Sequence, residues 1–251
     1  MTSRIALVTG ASQGIGAACA RALSEAGHRV ALVARNASSL ESVAASLPGE
    51  SLVIPTDVLD PSALEAAFAQ VEATWGPVEI LVVNAGAAMS ATIVKTSDED
   101  WQRMLDLNLT APFRCLRRAL PGMTDAGWGR VVVVASIASK VGGPRIAAYT
   151  ASKHGVLGLV RTAAMEVARS GVTVNAVCPG YVDTPMTDES VATISSGTGR
   201  TPEDARSILA NSQPIGRLVT PAEVASAAML CVDNGAVNGQ GLNVDGGTVQ
   251  S

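Results

Sequence analysis

The chain alternates between short runs of β-branched and apolar residues and longer stretches in which apolar positions return every three or four residues. The short runs, at residues 5–9, 29–34, 51–56, 79–84, 130–136, 172–178 and 241–244, read as strands. Their nearly unbroken apolar character suits strands covered on both faces, as in a parallel sheet. Between the first two runs Ile15, Cys19, Ala22 and Leu23 fall at i, i+4, i+7 and i+8 before Gly27, which marks one buried helix face and a glycine stop. Helices are also predicted over residues 61–75, 97–123, 149–169 and 221–232. This βαβ rhythm predicts an α/β protein with a parallel sheet flanked by helices. No linker or repeat divides the chain, so a single domain over residues 1–251 is expected. One insertion, about residues 183–212, collects Gly, Ser, Thr and Pro and is expected to be mobile.

Composition narrows the material and the partners. Hydrophobic residues are 47% of the chain and aromatics 3%, so the interior has to be built from Ala, Val, Leu and Ile. The net charge of -4, with no basic run, gives no electrostatic reason to expect nucleic acid or an anionic membrane, and a small-molecule ligand is the default. Cys19, Cys115, Cys178 and Cys231 are far apart and form no C-x-x-C pair, so neither a metal site nor a disulfide framework is expected. They read as core thiols of a reducing compartment. The apolar stretch Ile5 to Val8 is too short for a signal-peptide core, which together with the absence of a membrane span predicts a cytoplasmic protein.

The first strand runs into Thr9, Gly10, Ser12, Gln13, Gly14, Ile15 and Gly16, a T-G-x-x-x-G-I-G loop at the start of the first helix. Glycines there let the backbone approach a pyrophosphate, and the helix N-terminus offers N–H groups and partial positive charge. At the end of the second strand, where a carboxylate would hydrogen-bond the ribose hydroxyls of NAD, the chain has Ala34, Arg35 and Asn36. A guanidinium there suits the 2′-phosphate of NADP, so NADP(H) is the expected cofactor.

Tyr149 and Lys153 stand four apart in Y-T-A-S-K, on one face of a helix. A phenol is a sluggish acid–base group at neutral pH, and a nearby ammonium stabilises its phenolate, so Lys153 is expected to tune Tyr149. Ser136 closes the preceding strand at the carboxyl edge, where open α/β sheets place their ligands. Its hydroxyl is placed to hold a substrate oxygen.

Together these motifs resemble the short-chain dehydrogenase/reductase family in its compact form, over nearly the whole chain. The resemblance also rests on Asn84-Ala85-Gly86 after the fourth strand, Asn108 in L-N-L-T, Pro179-Gly180 after the sixth strand and the closing Asp245-Gly246-Gly247. It implies a doubly wound Rossmann fold with a seven-stranded parallel sheet and a tetrad of Asn108, Ser136, Tyr149 and Lys153. In that scheme Tyr149 protonates a carbonyl oxygen, Ser136 polarises it, Lys153 also binds the nicotinamide ribose, and Asn108 holds a water that links Lys153 to solvent. The same likeness assigns Asp57 and Val58 to adenine, and Gly180, Val182 and Thr184 to carboxamide and diphosphate. Where the family often carries two asparagines before Ala-Gly, the first is here Val83.

The implied activity is hydride transfer between NADP(H) and a ketone or secondary alcohol. The sequence around Ser152 and from Val174 to Met186 looks most like 3-oxoacyl-thioester reductases and aromatic polyketide ketoreductases. The few charges of the insertion, with Met186, Ile194 and Ile208, predict a lid over a moderately apolar ketone. A coenzyme A thioester or free ketone is preferred to a carrier-bound one, because an acidic carrier protein would meet an acidic partner whose nearest arginines are Arg130 and Arg169. Alternatives are an NAD-dependent secondary alcohol or 3-hydroxyacyl-CoA dehydrogenase, and a non-catalytic NADPH sensor. His154, beside Lys153, points about 100° away on a helix and is expected at a subunit contact. Gly155, Gly158 and Ala163 permit close helix pairing, and the resemblance implies a homotetramer.

Overall fold

The computed structural model describes residues 3–250. In chain order the elements are β1 (Ile5–Thr9), α1 (Gly14–Glu25), β2 (Arg29–Ala34), α2 (Ala37–Ala45), β3 (Ser51–Pro55), α3 (Pro61–Thr74), β4 (Ile80–Val83), α4 (Asp98–Leu105), a π-helical turn (Asp106–Thr110), α5 (Ala111–Asp125), β5 (Gly129–Val134), α6 (Ala147–Glu166), β6 (Val172–Pro179), α7 (Pro185–Thr198), α8 (Pro202–Asn211), α9 (Pro221–Asp233) and β7 (Gly241–Val244). The strands form one parallel sheet in the order β3-β2-β1-β4-β5-β6-β7, the doubly wound Rossmann arrangement that the βαβ rhythm and the motifs predict. The order reverses between β1 and β4, which opens a crevice at the carboxyl ends of these strands.

Strand alternation sorts the core into two layers. Leu7, Ala31, Val33, Leu81, Val131 and Val133 point to one face and meet Phe68 of α3, Leu116 of α5 and Val156 and Val160 of α6. Their neighbours Ala6, Val8, Val30, Leu32, Ile80 and Val132 point to the other, against Leu23 of α1, Leu40 of α2 and Val224 and Ala228 of α9. Each fully buried Leu or Phe contributes roughly 1.5–3 kcal/mol, so the sheet is held from both sides by ordinary apolar burial. At the amino edge, Arg4 and Arg130 stack over the Trp128 ring at 4.1 and 4.6 Å, and the buried Arg130 donates to the carbonyls of Gly129, Gly171 and Val232.

Three stretches differ from the sequence expectation. Ala37–Ala45 is helical, started by the Asn36 side chain, which accepts from Ser39 N; its polar sequence hides the periodicity because only Leu40 is buried. The helix expected over 97–123 is broken by the π turn, which seats Asn108 facing inward and buried. The insertion at 183–212 is not featureless: α7 and α8 fill it, each with proline in its first turn, and Thr201 caps α8 by accepting from Asp204 N. Val191 of α7 with Ala205 and Leu209 of α8 bury a small apolar cluster of their own. The Ser and Thr content misleads because these hydroxyls bond back to carbonyls one turn earlier, as Thr193 and Thr198 do.

Candidate active site

The glycine loop joins β1 to α1 in the crevice, and its glycines are demanded by space. Gly10 has φ of +65°, and a Cβ at Gly16 would stand 2.2 Å from the Gly10 carbonyl oxygen. Behind the loop, Asn84 Nδ2 donates to the carbonyls of Thr9 and Gly10, and Thr9 Oγ1 accepts from the N–H groups of Asn84 and Ala85. The loop of β1 is thereby locked to the end of β4. Thr9, the first residue of the T-G-x-x-x-G-I-G motif, thus helps to build the site through its hydroxyl. Val83, where a second asparagine is common, is buried apolar sheet and pairs in register with Val133.

Two helix N-termini face this loop. α1 starts at Gln13, whose exposed side chain makes no cap, and carries no acidic residue in its first turn. α7 starts at Thr184, which also supplies no side-chain cap. A Cβ on Gly14 would lie 3.1 Å from Thr184 Cγ2, so the two N-termini lie close together. Amide donors, partial positive charge and a backbone with no side chains in the way suit a dinucleotide diphosphate. Ser12 and Ile15 are half-buried in the same turn. Arg35 is exposed just beyond β2; Asp57, exposed beyond β3, accepts from Leu59 N, and Val58 is buried. A surface depression of about 650 Å³ runs between α1, α2 and the start of α9; it touches the loop through Ser12 and includes none of the predicted tetrad.

The four tetrad positions come together one strand further along. Ser136 follows β5, caps the next short turn by accepting from Ala138 N at 3.1 Å, and stands near enough to the Tyr149 hydroxyl to favour its ionised form. Lys153, one helical turn after Tyr149 on α6, is buried; its Nζ donates to the Val134 carbonyl at 3.0 Å and stands 5.7 Å from the Tyr149 ring centroid. Asn108 exchanges two hydrogen bonds with the main chain of Ala87, and Gly86 sits where a Cβ would be 2.8 Å from Asn108 Oδ1 and 3.7 Å from Lys153 Nζ. Asn84, Ala85 and Gly86 thus bring the loop side and the tetrad side together. Pro179 ends β6, and Gly180, Val182 and Thr184 continue from it along the same carboxyl edge.

The electrostatics correct one expectation. Burial pushes the Tyr149 phenol above its ordinary value, with the Ser136 hydroxyl pulling the other way. Lys153 is pushed down to about 8, also by burial. Desolvation is the largest influence on both groups, and the ammonium is directed to the Val134 carbonyl. His154 is exposed and hydrogen-bonds the Thr150 carbonyl, away from this cluster. Arg130, considered as a docking residue for a carrier, is buried at the far end of β5 and taken up by three carbonyls. Tyr181 and Gln213, which sequence reasoning passed over, also lie at this edge.

A parallel sheet with a glycine-loop crevice and a Ser/Tyr/Lys cluster beside it defines a dinucleotide-dependent oxidoreductase. The model of the short chain dehydrogenase family matches residues 4–195, and the chain belongs to that family. It is 37% identical to the D-beta-hydroxybutyrate dehydrogenase of Rhizobium meliloti, over 98% of both chains. It is 35% identical to a 3-oxoacyl-acyl-carrier-protein reductase of Mycobacterium tuberculosis, over 98% of this chain and 92% of the relative. A crystal structure of an actinorhodin polyketide ketoreductase variant with NADPH superposes with a TM-score of 0.92 at 38% identity, covering 98% of this chain and 97% of that one. The protein is accordingly an oxidoreductase of CH–OH groups and ketones, in a family that binds nicotinamide cofactors. Among the described residues no helix is long and apolar enough to cross a membrane.

Proposed function

We propose that the protein reduces a ketone, or oxidises the matching secondary alcohol, with NADP(H), and that its physiological substrate is a 3-oxoacyl thioester or a similar moderately apolar ketone. The observation that carries the reading is the convergence of Ser136, Tyr149, Lys153 and Asn108 beside the glycine loop. Bound nicotinamide supplies or accepts the hydride. In reduction, the Tyr149 hydroxyl gives its proton to the carbonyl oxygen, and the raised phenol keeps that proton in place until the oxygen becomes basic. Ser136 Oγ donates to the same oxygen. Lys153, able to gain and lose a proton near neutral pH, restores the phenol, and Asn108, fixed by Ala87, keeps the path from Lys153 toward solvent open.

The cofactor's diphosphate is assigned to the loop Gly10, Ser12, Gln13, Gly14, Ile15 and Gly16 with Thr184. Its adenine is assigned to Asp57 and Val58, and its nicotinamide side to Asn84, Ala85, Gly86, Tyr149, Lys153, Pro179, Gly180 and Val182. Arg35, exposed where β2 ends and without a carboxylate beside it in sequence, supports NADP over NAD, as does the NADPH in the ketoreductase neighbour. The thioester reading is supported by a relative named as a 3-oxoacyl-acyl-carrier-protein reductase. A free ketone or coenzyme A thioester is preferred to a carrier-bound one because Arg130 is committed to the fold. α7 and α8 are assigned as the substrate lid of one Rossmann domain. Exposed Trp101, Phe113 and Met165 on α4, α5 and α6 support pairing of these helices in a homotetramer, and the buried free thiols support a cytoplasmic setting.

The test is a screen of acetoacetyl-coenzyme A, cyclic ketones and secondary alcohols with both cofactors, followed by cofactor absorbance. Turnover of acetoacetyl-coenzyme A with NADPH well ahead of NADH is expected. Turnover of none of these compounds would overturn the reading.

A further inference from the structure

The second of the chain's two tyrosines, Tyr181, stands directly after Pro179-Gly180, and its side chain is 39% exposed. Its main chain is held far more firmly than its side chain. Gln213, just past α8, is 1% exposed, an unusual place for an amide. Its Oε1 accepts from Tyr181 N at 3.0 Å, and its Nε2 donates to the carbonyls of Tyr181 at 3.1 Å and of Arg217 at 2.7 Å. This pattern fixes the amide orientation, since a flipped amide would set N–H against N–H and oxygen against two carbonyls. The Tyr181 carbonyl takes a second donor, Val219 N, at 2.9 Å, and Asp183 N donates to the Val219 carbonyl at 2.8 Å, closing a parallel bridge between Val182 and Val219.

Gln213 thus does for Tyr181 what a neighbouring strand would do, at a point where β6 has ended and no strand is available. A Cβ on Gly180 would meet Gln213 Oε1 at 2.2 Å, so the amide and the Pro179-Gly180 turn are fitted against each other. Burying an amide is unfavourable unless its groups are bonded, and two of the three bonds here hold the main chain of a residue that is itself displayed, the third anchoring the amide to Arg217. Tyr181 belongs to the edge that carries the chemistry: Ala135 N donates to the Val177 carbonyl, which sets the ends of β5 and β6 together, so Ser136 and Tyr181 follow these strands at one edge of the sheet. The Tyr181 phenol is also near enough to contribute to the upward push on Tyr149.

We infer that Gln213 is a positioning residue for the reaction: by gripping the main chain of Tyr181 it fixes where the Tyr181 ring stands beside Tyr149 and the substrate. The inference rests on the ketone-reductase reading for its kinetic consequence but not for its structural one. The test therefore has two arms. Because the chain contains two tyrosines, 3-fluorotyrosine labelling gives two fluorine resonances, assigned with Tyr149→Phe. In the cofactor-free protein, Gln213→Met, which keeps the length of the side chain and removes its hydrogen bonds, should shift or broaden the Tyr181 resonance. In the assay, kcat/KM for the ketone should fall about tenfold to a hundredfold per active site, the scale expected when a reacting geometry loosens by about 1 Å.

A purely structural role would lower the melting temperature while leaving the Tyr181 resonance and kcat/KM per folded site unchanged, and that result would overturn the inference. If Gln213→Met does not fold, Gly180→Ala perturbs the same contact from the other side and should move the same resonance; an unmoved resonance there also overturns it. A shifted resonance in a protein whose wild type turns over no ketone upholds the grip of Gln213 and sinks the catalytic reading instead.

Discussion

The two halves of the sheet build their share of the crevice by different means. Around β1 to β3 the site is main chain: glycines at 10, 14 and 16 and a helix start at Gln13 without a side-chain cap, the loop being held from the end of β4 by Asn84. Around β4 to β6 it is buried side chain: Asn108, Ser136 and Lys153, each less than one-tenth exposed. A polyanion needs many weak donors spread over a surface, which backbone supplies without ionisable groups. Proton transfer needs a few groups whose affinity for protons is set by burial, which only side chains supply. Damage to the first half should therefore appear as lost cofactor affinity, and damage to the second as lost turnover.

The sharpest break is Tyr149→Phe, which removes the proton donor and keeps the ring. It should lower kcat about 10³-fold while the dissociation constant of NADPH, read by fluorescence titration, stays the same. A parallel loss of cofactor affinity would erase the division. Gly16→Ala tests the other half: with a Cβ 2.2 Å from the Gly10 carbonyl oxygen, the turn has to open. Strain of about 1–3 kcal/mol should weaken NADPH binding about tenfold to a hundredfold, with kcat at saturating cofactor little changed. Arg35→Ser should raise KM for NADPH about tenfold, the scale of one charge-assisted hydrogen bond, and leave KM for NADH unaltered. An equal change for both cofactors would remove Arg35 from the 2′-phosphate.

The last effect is on stability and not on catalysis. Burial holds the Lys153 ammonium down to about 8 against the ordinary 10.5 of a solvated lysine, so both folded and unfolded chains carry the charge below pH 8, and its burial costs the folded state in full there. Between these values the folded protein sheds the proton while the unfolded chain keeps it, so stability rises with pH. Lys153→Met removes that dependence. The stability difference between variant and wild type should move by about 3 kcal/mol in favour of the wild type as pH climbs through this window. Melting curves recorded at several pH values check it, and a difference flat with pH would mean that the ammonium is not desolvated.

Much of the first half was legible because its logic is local. T-G-x-x-x-G-I-G lies within one turn, and the apolar runs of β1 and β2 match their strands residue for residue. The tetrad was legible as a family pattern, and Tyr149 and Lys153 as neighbours on a helix, but their electrostatics were not. Sequence spacing suggested an ammonium that lowers the phenol, whereas the buried Val134 carbonyl holds that ammonium and desolvation governs both groups. Gln213 was missed because its partner, Tyr181, lies more than thirty positions away, and the bonds that Thr9 makes to Asn84 and Ala85 were not legible because they reach across to another strand. α7 was missed because its many hydroxyls obscure the apolar stripe, and α8 because it is short; Val191 and Ile194 of the one meet Ala205 and Leu209 of the other.

The π turn at Asp106–Thr110 makes this protein sensitive to the length of its chain and not only to its composition. An in-frame loss of one codon between those residues would leave a sequence with undiminished helix propensity and let α4 and α5 join as one regular helix. Each residue of an α-helix turns the chain by about 100°, so closing the bulge would swing one segment about the other by that angle. Either Met104 and Asn108 or the apolar stripe of Cys115, Leu116 and Ala119 would then have to leave its seat. At this point of the molecule a deletion that mends the helix would undo the enzyme, while many substitutions along the exposed side would pass unnoticed.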